Sequence, residues 1–512
     1  MIPKELINKK SSFLELAKKK QIVGFTRKLT WDHESTISLA QRFLGEDYFF
    51  LLESANGGSG HIARYSFLGF DPLCIWQGCQ DGNIKFSCGQ NATKLDCNTP
   101  NNPVSVLERS LSELDVGHIL PDSYKGPPLE TLSGATGYLS YDIASYLEPT
   151  IGKVPVKTLN LPELFYIIPK NLLILDQLTK TLYLVHYVWT GNQENVNSHD
   201  FFEKSIKGIV DLEKKLRDHH CPASTLQLID KPVDYEAFKG SLSRDKFLEL
   251  ARECRQQIMQ GEIFQIQIGN RLSGPTQASA FDIFRHLRIL NPSPYMFFYK
   301  FKDDHILGSS PEMMVNVEGD LVTHRPIAGT RKRTWNASTD LKMIEELTSC
   351  EKEKAEHVML VDLSRNDVGR IAQPGSVNVR ELMVVEEFSH VFHMVSEVNG
   401  RLKNDLTVAD ALISGFPNGT VSGAPKIRAM QLIYEMEPCA REFYAGSLGI
   451  FTFSKDLKST ILIRSIHIRD GLASTQASAG IVYDSVPEHE WMETRHKMAA
   501  CLTAIQNTLP SL

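Results

Sequence analysis

Two glutamate pairs in the C-terminal half carry the plainest chemical signal in this sequence. Glu353 and Glu356 lie in a helical pattern from about residue 339 to residue 366. Glu490 and Glu493, with Lys497 beyond them, lie in another from about 487 to 506. Residues three apart on a helix are neighbours, so each pair presents both carboxylates on one face. Either helix taken singly reads first as a solvated, charged face. The neighbourhood raises the odds of a site: Glu356 leads into His357-Val358-Met359-Leu360-Val361-Asp362-Leu363, which is too apolar for a simple surface helix. Two such helices meeting would surround a cation with hard oxygen donors. With few protein ligands and waters completing an octahedron, Mg²⁺ is the natural occupant. No His/Cys cluster competes for zinc.

The elements that position these groups are legible in part. Ser243 caps an amphipathic helix with Phe247, Ala251, Cys254 and Ile258 on one face, and Gly261 stops it. Ile263–Ile268 then alternates, with Phe264, Ile266 and Ile268 facing one way and Gln265 and Gln267 the other. Two glutamines on one strand face suggest a polar cavity, or else an exposed face. His393 sits on another alternating segment, Val391-His393-Val395, where a hydrogen-bonded core histidine is the plain reading. The first ~220 residues hold short β-like runs between Gly, Asn, Asp and Pro, among them Tyr48–Leu52, Arg64–Leu68 and Leu182–Val188. The polar stretch between Leu216 and Pro232 marks a domain junction.

Bulk properties exclude several classes. The chain has 512 residues, 42% hydrophobic and 23% charged, which is globular and long enough for two domains. A net charge of -6 carries no nucleic-acid footprint. The Lys-rich N-terminus lacks the apolar core of a signal peptide, and no apolar run reaches membrane-spanning length. Nine scattered cysteines without CxxC spacing predict reduced thiols in a cytoplasm. Gly58-Ser59-Gly60-His61-Ile62-Ala63 matches a dinucleotide fingerprint but is followed by β-like sequence, not a helix. Gly419–Lys426 looks like a phosphate loop but lacks the Walker spacing and the Ser/Thr after Lys426. Pro425 fits the first turn of a helix through Ala429 and Leu432, whose N-terminus could hold a carboxylate.

Ordered motifs then bring a resemblance. They are EIFQ at Glu262–Gln265, NPSPYMFF at Asn291–Phe298, GSSPEM at Gly308–Met313, PIAGTR at Pro326–Arg331, EHVMLVDLSRND at Glu356–Asp367, HMVSEV at His393–Val398, GTVSGAPK at Gly419–Lys426 and ETRHK at Glu493–Lys497. The first half adds LLES at Leu51–Ser54, RYSFLG at Arg64–Gly69 and GATGYLSYD at Gly134–Asp142. Together they resemble the chorismate-utilising enzymes of the anthranilate synthase component I type over nearly the whole chain. The resemblance implies an α+β fold, a large core of two antiparallel sheets with flanking helices. It implies a β-rich regulatory domain over 1–225 and a chorismate-binding catalytic domain over 226–512.

The implied reaction adds ammonia at C2 of chorismate as the C4 hydroxyl leaves, then eliminates pyruvate to give anthranilate for tryptophan biosynthesis. By resemblance Glu356 and Glu493 hold Mg²⁺, supported by Glu353 and Glu490, and Lys497 balances the carboxylates. Arg464 clamps a substrate carboxylate. Gly329, Thr330, Tyr444 and the Ser478-Ala479-Gly480 segment match substrate-binding positions, with Ser478 where the family usually has glycine. His393 matches the acid/base histidine. Ala328 stands where aminodeoxychorismate synthases carry a nucleophilic lysine, and Gln265 where water-using relatives carry a general-base lysine. An amide cannot take water's proton. Leu52, Glu53, Ser54, Asn291, Pro294, Tyr295 and Met296 match an L-tryptophan inhibitory site, although Asn-Pro-Ser-Pro also reads as a turn. No cysteine lies in a Gly-x-Cys-x-Gly elbow, so the ammonia is expected from a separate glutamine amidotransferase subunit, in a heterodimer or heterotetramer. Aminodeoxyisochorismate synthase, aminodeoxychorismate synthase and a non-catalytic tryptophan-sensing subunit are the competing readings.

Overall fold

Two long strands, Tyr65–Gly78 and Leu164–Asp176, organise the molecule. The computed structural model describes residues 4–54, 64–78, 82–89, 91–97, 102–191, 199–218, 225–388 and 391–510. The two strands pair antiparallel from Tyr65↔Asp176 to Gln77↔Phe165, with a register shift between Pro72 and Cys74. Pro72 faces Pro169 there, and neither proline has an N–H to give the ladder. At that irregularity each long strand changes neighbours.

On one side the order runs from Ile22–Thr30 and Thr181–Trp189 through the long pair to Tyr48–Glu53, Tyr295–Phe301, Asp304–Ser310, Ser465–Arg469, Leu472–Ile481 and Gln265–Pro275. On the other it runs from the hairpin Asn83–Cys88 and Asn91–Asp96 through the long pair to Gly134–Leu139, Ser447–Thr452, Leu457–Ile461, Met313–Glu318, Leu321–His324 and Val391–Arg401. The expected two-ladder antiparallel core is present, joined by strands that switch sheets at a bend. Among the described residues the parallel pairing is that of Ile22–Thr30 with Val116–Ile119.

Period-two alternation divides the apolar residues between two layers. Phe50, Tyr299 and Phe301 point between the ladders: Phe50 stacks on Tyr299 at 5.6 Å, Phe165 on Phe301 at 4.9 Å, and the Tyr299 hydroxyl meets Thr136. Phe49, Leu51, Met296 and Phe298 point outward into a second cluster with the helices Ala280–Leu290 and Pro487–Asn507. Each buried aromatic contributes roughly 1.5–3 kcal/mol, so a one-residue slip, which exchanges the layers, is strongly disfavoured.

Helix Arg244–Met259 is capped by Ser243, whose side chain accepts from the Lys246 amide, and Gly261 follows at φ 81°. Several expectations need correction. Phe264 does not join Ile266 and Ile268 in the core; it precedes the strand and is 70% exposed, its N–H bonded to Ala424. The pattern over residues 339–366 is two helices, Ala337–Ser349 and Glu351–Ile371, broken at Cys350 in an extended conformation. Thr348, Ser349 and Cys350 are weak helix formers in a row. Pro425 is the N-cap of helix Lys426–Met436, one position before the first turn. Cys74 and Cys88 face each other across adjacent strands with Cα atoms 4.1 Å apart and are disulfide-bonded, where reduced thiols were expected. Strand register made them neighbours, and their sequence spacing carries no sign of it. Cys79, Cys221 and the Gly58–Ala63 segment lie outside the described residues. Ladder bonds cross position 225: Tyr48–Glu53 pairs with Tyr295–Phe301 and Gly134–Leu139 with Ser447–Thr452. No helix among the described residues is long and apolar enough to cross a membrane.

Candidate active site

A cavity of about 690 Å³ opens where the glutamine strand, the two glutamate helices and strand Val391–Arg401 converge. Gln265, Ala328, Gly329, Thr330, Glu353, Glu356, His393, Tyr444, Arg464, Ser478, Gly480, Glu490, Glu493 and Lys497 all line it. Ala479 does not: its side chain alternates to the other face and joins the apolar core.

The wall carrying Ala328 is shaped by a bulge. Strand Ile327–Lys332 pairs Ala328 with Met394 and Thr330 with His393, and the register shifts between them. Gly329 takes up the shift at φ 69°, where a Cβ would also stand 2.8 Å from Leu347 Cδ1. The bulge turns the Gly329 carbonyl to His393 Nδ1 at 3.1 Å, with Thr330 Oγ1 also at 3.1 Å. A carbonyl only accepts, so Nδ1 carries the proton and Nε2 is left to accept one. Burial lowers the His393 pKa, and Arg464 adds to this.

The two glutamate pairs behave alike. In each, one carboxylate has a cation: Glu353 takes Arg331 at 3.1 Å, and Glu493 takes Lys497 at 2.6 Å. The other is pushed up. Glu356 is raised by burial and by repulsion from Glu353 and Glu493; Glu490 is raised to about 7 by burial. Among the described residues no group of three His, Cys, Asp or Glu side chains stands ready to hold a metal unaided. The donor set nevertheless suits a hard cation, since the mutual repulsion at Glu356 is what a divalent ion relieves.

Lys497 Nζ also donates to the Ser478 carbonyl at 2.9 Å, and the Arg464 guanidinium donates to the Lys497 carbonyl. Arg464 is half-buried, and its desolvation lowers its pKa. Further along the same face of the glutamine strand stands a separate charge cluster. Arg441 chelates Glu437 at 2.7 and 3.0 Å and donates to the carbonyls of Val421 and Gln267. Arg271 bonds Thr158, Ala440 and Glu442, and Glu442 accepts the amides of Thr158 and Leu159. This cluster fixes the backbone from which the cavity side chains project. Lys426 is tied to Asp367 at 2.9 Å, so the phosphate-loop likeness of its segment has no free lysine behind it.

Sequence reasoning passed over Glu312, Lys352, Gln476 and His496, which also line the cavity. Glu312 matters most. It lies between strands Asp304–Ser310 and Met313–Glu318, is 6% exposed, and has Oε1 without a partner. Burial pushes its carboxyl up to about 8. An acidic residue between two buried strand segments was the available signal.

The tryptophan-matching residues gather elsewhere. Leu52 pairs with Phe297 and Glu53 with Met296. Ser54 follows Glu53, and Pro294 immediately precedes strand Tyr295–Phe301. Asn291 caps helix Ala280–Leu290 and exchanges hydrogen bonds with Ser309. Burial raises the Tyr295 phenol to about 12. The Glu53 carboxylate accepts from Arg288 Nε at 2.9 Å and from the Thr36 hydroxyl.

Comparison with known proteins now adds its weight. The profile of the chorismate binding enzymes matches residues 71–503. The chain belongs to this family. Anthranilate synthase component 1 of Acetivibrio thermocellus is 38% identical over 498 residues, covering 96% of this chain and 97% of that protein. The Bacillus subtilis protein of the same name is 36% identical, covering 97% and 94%. Among solved structures, anthranilate synthase component I from Streptococcus pneumoniae superposes with TM-score 0.72 at 32% identity, covering 93% of this chain and 99% of that one. The menaquinone-specific isochorismate synthase of Escherichia coli shares the fold, with TM-score 0.70 at 17% identity. This chorismate-binding enzyme therefore has the architecture of both an anthranilate synthase component I and an isochorismate synthase, and its cavity side chains must separate them.

Proposed function

We propose that this enzyme is an anthranilate synthase component I, forming anthranilate and pyruvate from chorismate and ammonia. One observation carries the reading beyond family membership. The cavity positions Ala328 and Gln265 offer neither a covalent nucleophile nor a base for water, and Ala328 leaves room for a small diffusible amine. The nitrogen of ammonia bonds to C2 of the ring and the C4–O bond breaks. Hydroxide is a poor leaving group, and Glu312, protonated near neutrality, is placed in the cavity to give it a proton so that water departs. The ammonium formed at C2 returns a proton to Glu312; His393 Nε2 then accepts the proton from C2, the bond from C3 to the enolpyruvyl oxygen breaks, the released enolate takes up that proton at carbon to give pyruvate, and the ring aromatises. Arg464 and the amides of Gln265 and Gln267 face the carboxylates of the substrate. Mg²⁺ held by Glu356 and Glu493, with Glu353 and Glu490 supporting, would neutralise a substrate carboxylate and polarise the ring it is attached to.

The same reading includes a separate glutaminase subunit as the ammonia source and L-tryptophan as an inhibitor at Glu53 and Met296. Ammonia would be passed on within the complex, and tryptophan would act across the ladder that joins residues 48–53 to residues 295–301. The test is direct. The purified chain is mixed with chorismate, Mg²⁺ and ammonium at mildly alkaline pH, and products are read by fluorescence and mass. Anthranilate with pyruvate is expected, and glutamine in place of ammonium should give nothing. An amino product that keeps its enolpyruvyl group would overturn the role of His393 and make the chain an aminodeoxyisochorismate synthase.

A further inference from the structure

We propose that Ser478 is a positioning residue, whose hydroxyl turns the Gln267 amide so that Gln267 Nε2 and Gln265 Nε2 together form a seat for one substrate carboxylate beside Gly480. The inference rests on the reading of the substrate as the dicarboxylate chorismate.

Ser478 is 3% exposed, on strand Leu472–Ile481 opposite Gly269. Its Oγ lies 3.0 Å from Gln267 Oε1 and 2.9 Å from the Tyr444 hydroxyl. An amide oxygen only accepts, so the single proton of Ser478 is committed to Gln267. The Tyr444 hydroxyl must therefore donate to Ser478. Donation then runs from Tyr444 to Ser478 to Gln267 Oε1, an arrangement that turns the amide nitrogen away from Ser478.

With its oxygen pinned, Gln267 sends Nε2 to the other side. A Cβ at Gly480 would stand 2.8 Å from Gln267 Nε2 and 2.9 Å from Gln265 Nε2. Two amide nitrogens from alternate positions of one strand thus converge on the space that glycine leaves open. Both residues line the cavity, and among the described residues neither Nε2 has a protein acceptor. Converging N–H groups without an acceptor call for an anionic oxygen. Of the nearby cations, Lys497 is engaged with Glu493 and the Ser478 carbonyl, and on the proposed reading Arg464 takes the other carboxylate. Neutral donors do the seating beside Gly480, and their polarity depends on orientation. A flipped Gln267 would turn its oxygen on the carboxylate and repel it. With Tyr444 donating to Ser478 and Ser478 to Gln267, the seating orientation is favoured before the substrate arrives.

A double-mutant cycle tests this. Chorismate binding is read by calorimetry without ammonia, and steady-state rates are read with it. Ser478→Ala should weaken binding about five- to tenfold. KM should rise in the same proportion and kcat should fall less. Gln267→Leu should weaken binding more, and the double variant should bind like Gln267→Leu alone, because Ser478 acts only through that amide. Tyr444→Phe leaves the bond from Ser478 to Gln267 in place and should cost less than Ser478→Ala. Unchanged affinity in Ser478→Ala would overturn the proposal. So would a Ser478→Ala loss that persists in the Gln267→Leu background, or a Tyr444→Phe loss exceeding it. Since binding is read without ammonia, the cycle decides the role of Ser478 even in a chain that releases no anthranilate.

Discussion

Two buried charge clusters lie side by side along one face of strand Gln265–Pro275, and they are built on opposite terms. From Gly269 onward, Arg441 meets Glu437, and Arg271 meets Glu442. There the carboxylate oxygens are occupied by guanidinium or amide donors: Gly269 N–H completes Glu437, and three amides complete Glu442. In the cavity, Glu312, Glu356 and Glu490 are raised because burial and like charge outweigh the cations in reach. A saturated cluster is finished when the chain folds. An unsaturated one is finished only by a ligand, an ion or a proton. Strained electrostatics therefore mark which of the two neighbouring clusters does the chemistry.

The largest effect expected from this contrast is on the finished side. Arg441→Leu leaves Glu437 buried without its partner and drops the carbonyls of Val421 and Gln267. It should cost about 3–5 kcal/mol, seen as loss of a cooperative melt or of soluble protein. On the unfinished side the sign reverses. Glu356→Gln should lower turnover by about 100-fold or more and abolish its response to Mg²⁺, yet raise the melting temperature in metal-free buffer, because the repulsion from Glu353 and Glu493 is relieved. A lower melting temperature would break the comparison.

Glu312→Gln sharpens it further, with an expected loss of about 100-fold in kcat. At fixed free ammonia the parent's kcat should decline above about pH 8 as the Glu312 proton is lost, and the variant should lack that decline. Stability follows the same sign. A carboxyl with a raised folded pKa contributes stability that is present at acidic pH and is lost as pH climbs through the ordinary carboxylate range toward 8. The variant should melt above the parent at pH 9 and level with it near pH 4. The smallest effect is at the distant carboxylate. Glu53 is held by Arg288 and Thr36, so Glu53→Gln should change turnover without tryptophan little. It should weaken tryptophan inhibition about tenfold or more, read as a shift in the half-inhibiting concentration.

Much of the site was legible in residue types and spacing. The Glu-x-x-Glu pairs and the shared face of Gln265 and Gln267 follow from helical and strand periods, whereas Ala328 and His393 were legible only through the family motifs that hold them. Glu312 was missed, because a lone glutamate in a strand-rich segment has no period to betray it; its meaning comes from burial. Cys74 and Cys88 were read as free because their pairing is a matter of strand register. The break at Cys350 was missed because apolar and acidic periodicity continues on both sides of it.

Local chemistry written in the sequence set the elements, their caps and the faces they present, since those depend on neighbours a few residues away. Ser243 at its helix N-terminus and Gly329 at its bulge are of this kind. The tertiary structure alone decided which of those faces meet. Residues from 265 to 497 enclose one cavity, and Ser478 reaches Gln267 across 211 positions of chain. Gly480 and the unpartnered Glu312 have meaning only there. The reason is physical: hydrogen-bond direction and desolvation depend on what stands within a few ångströms in space, and chain order does not supply that.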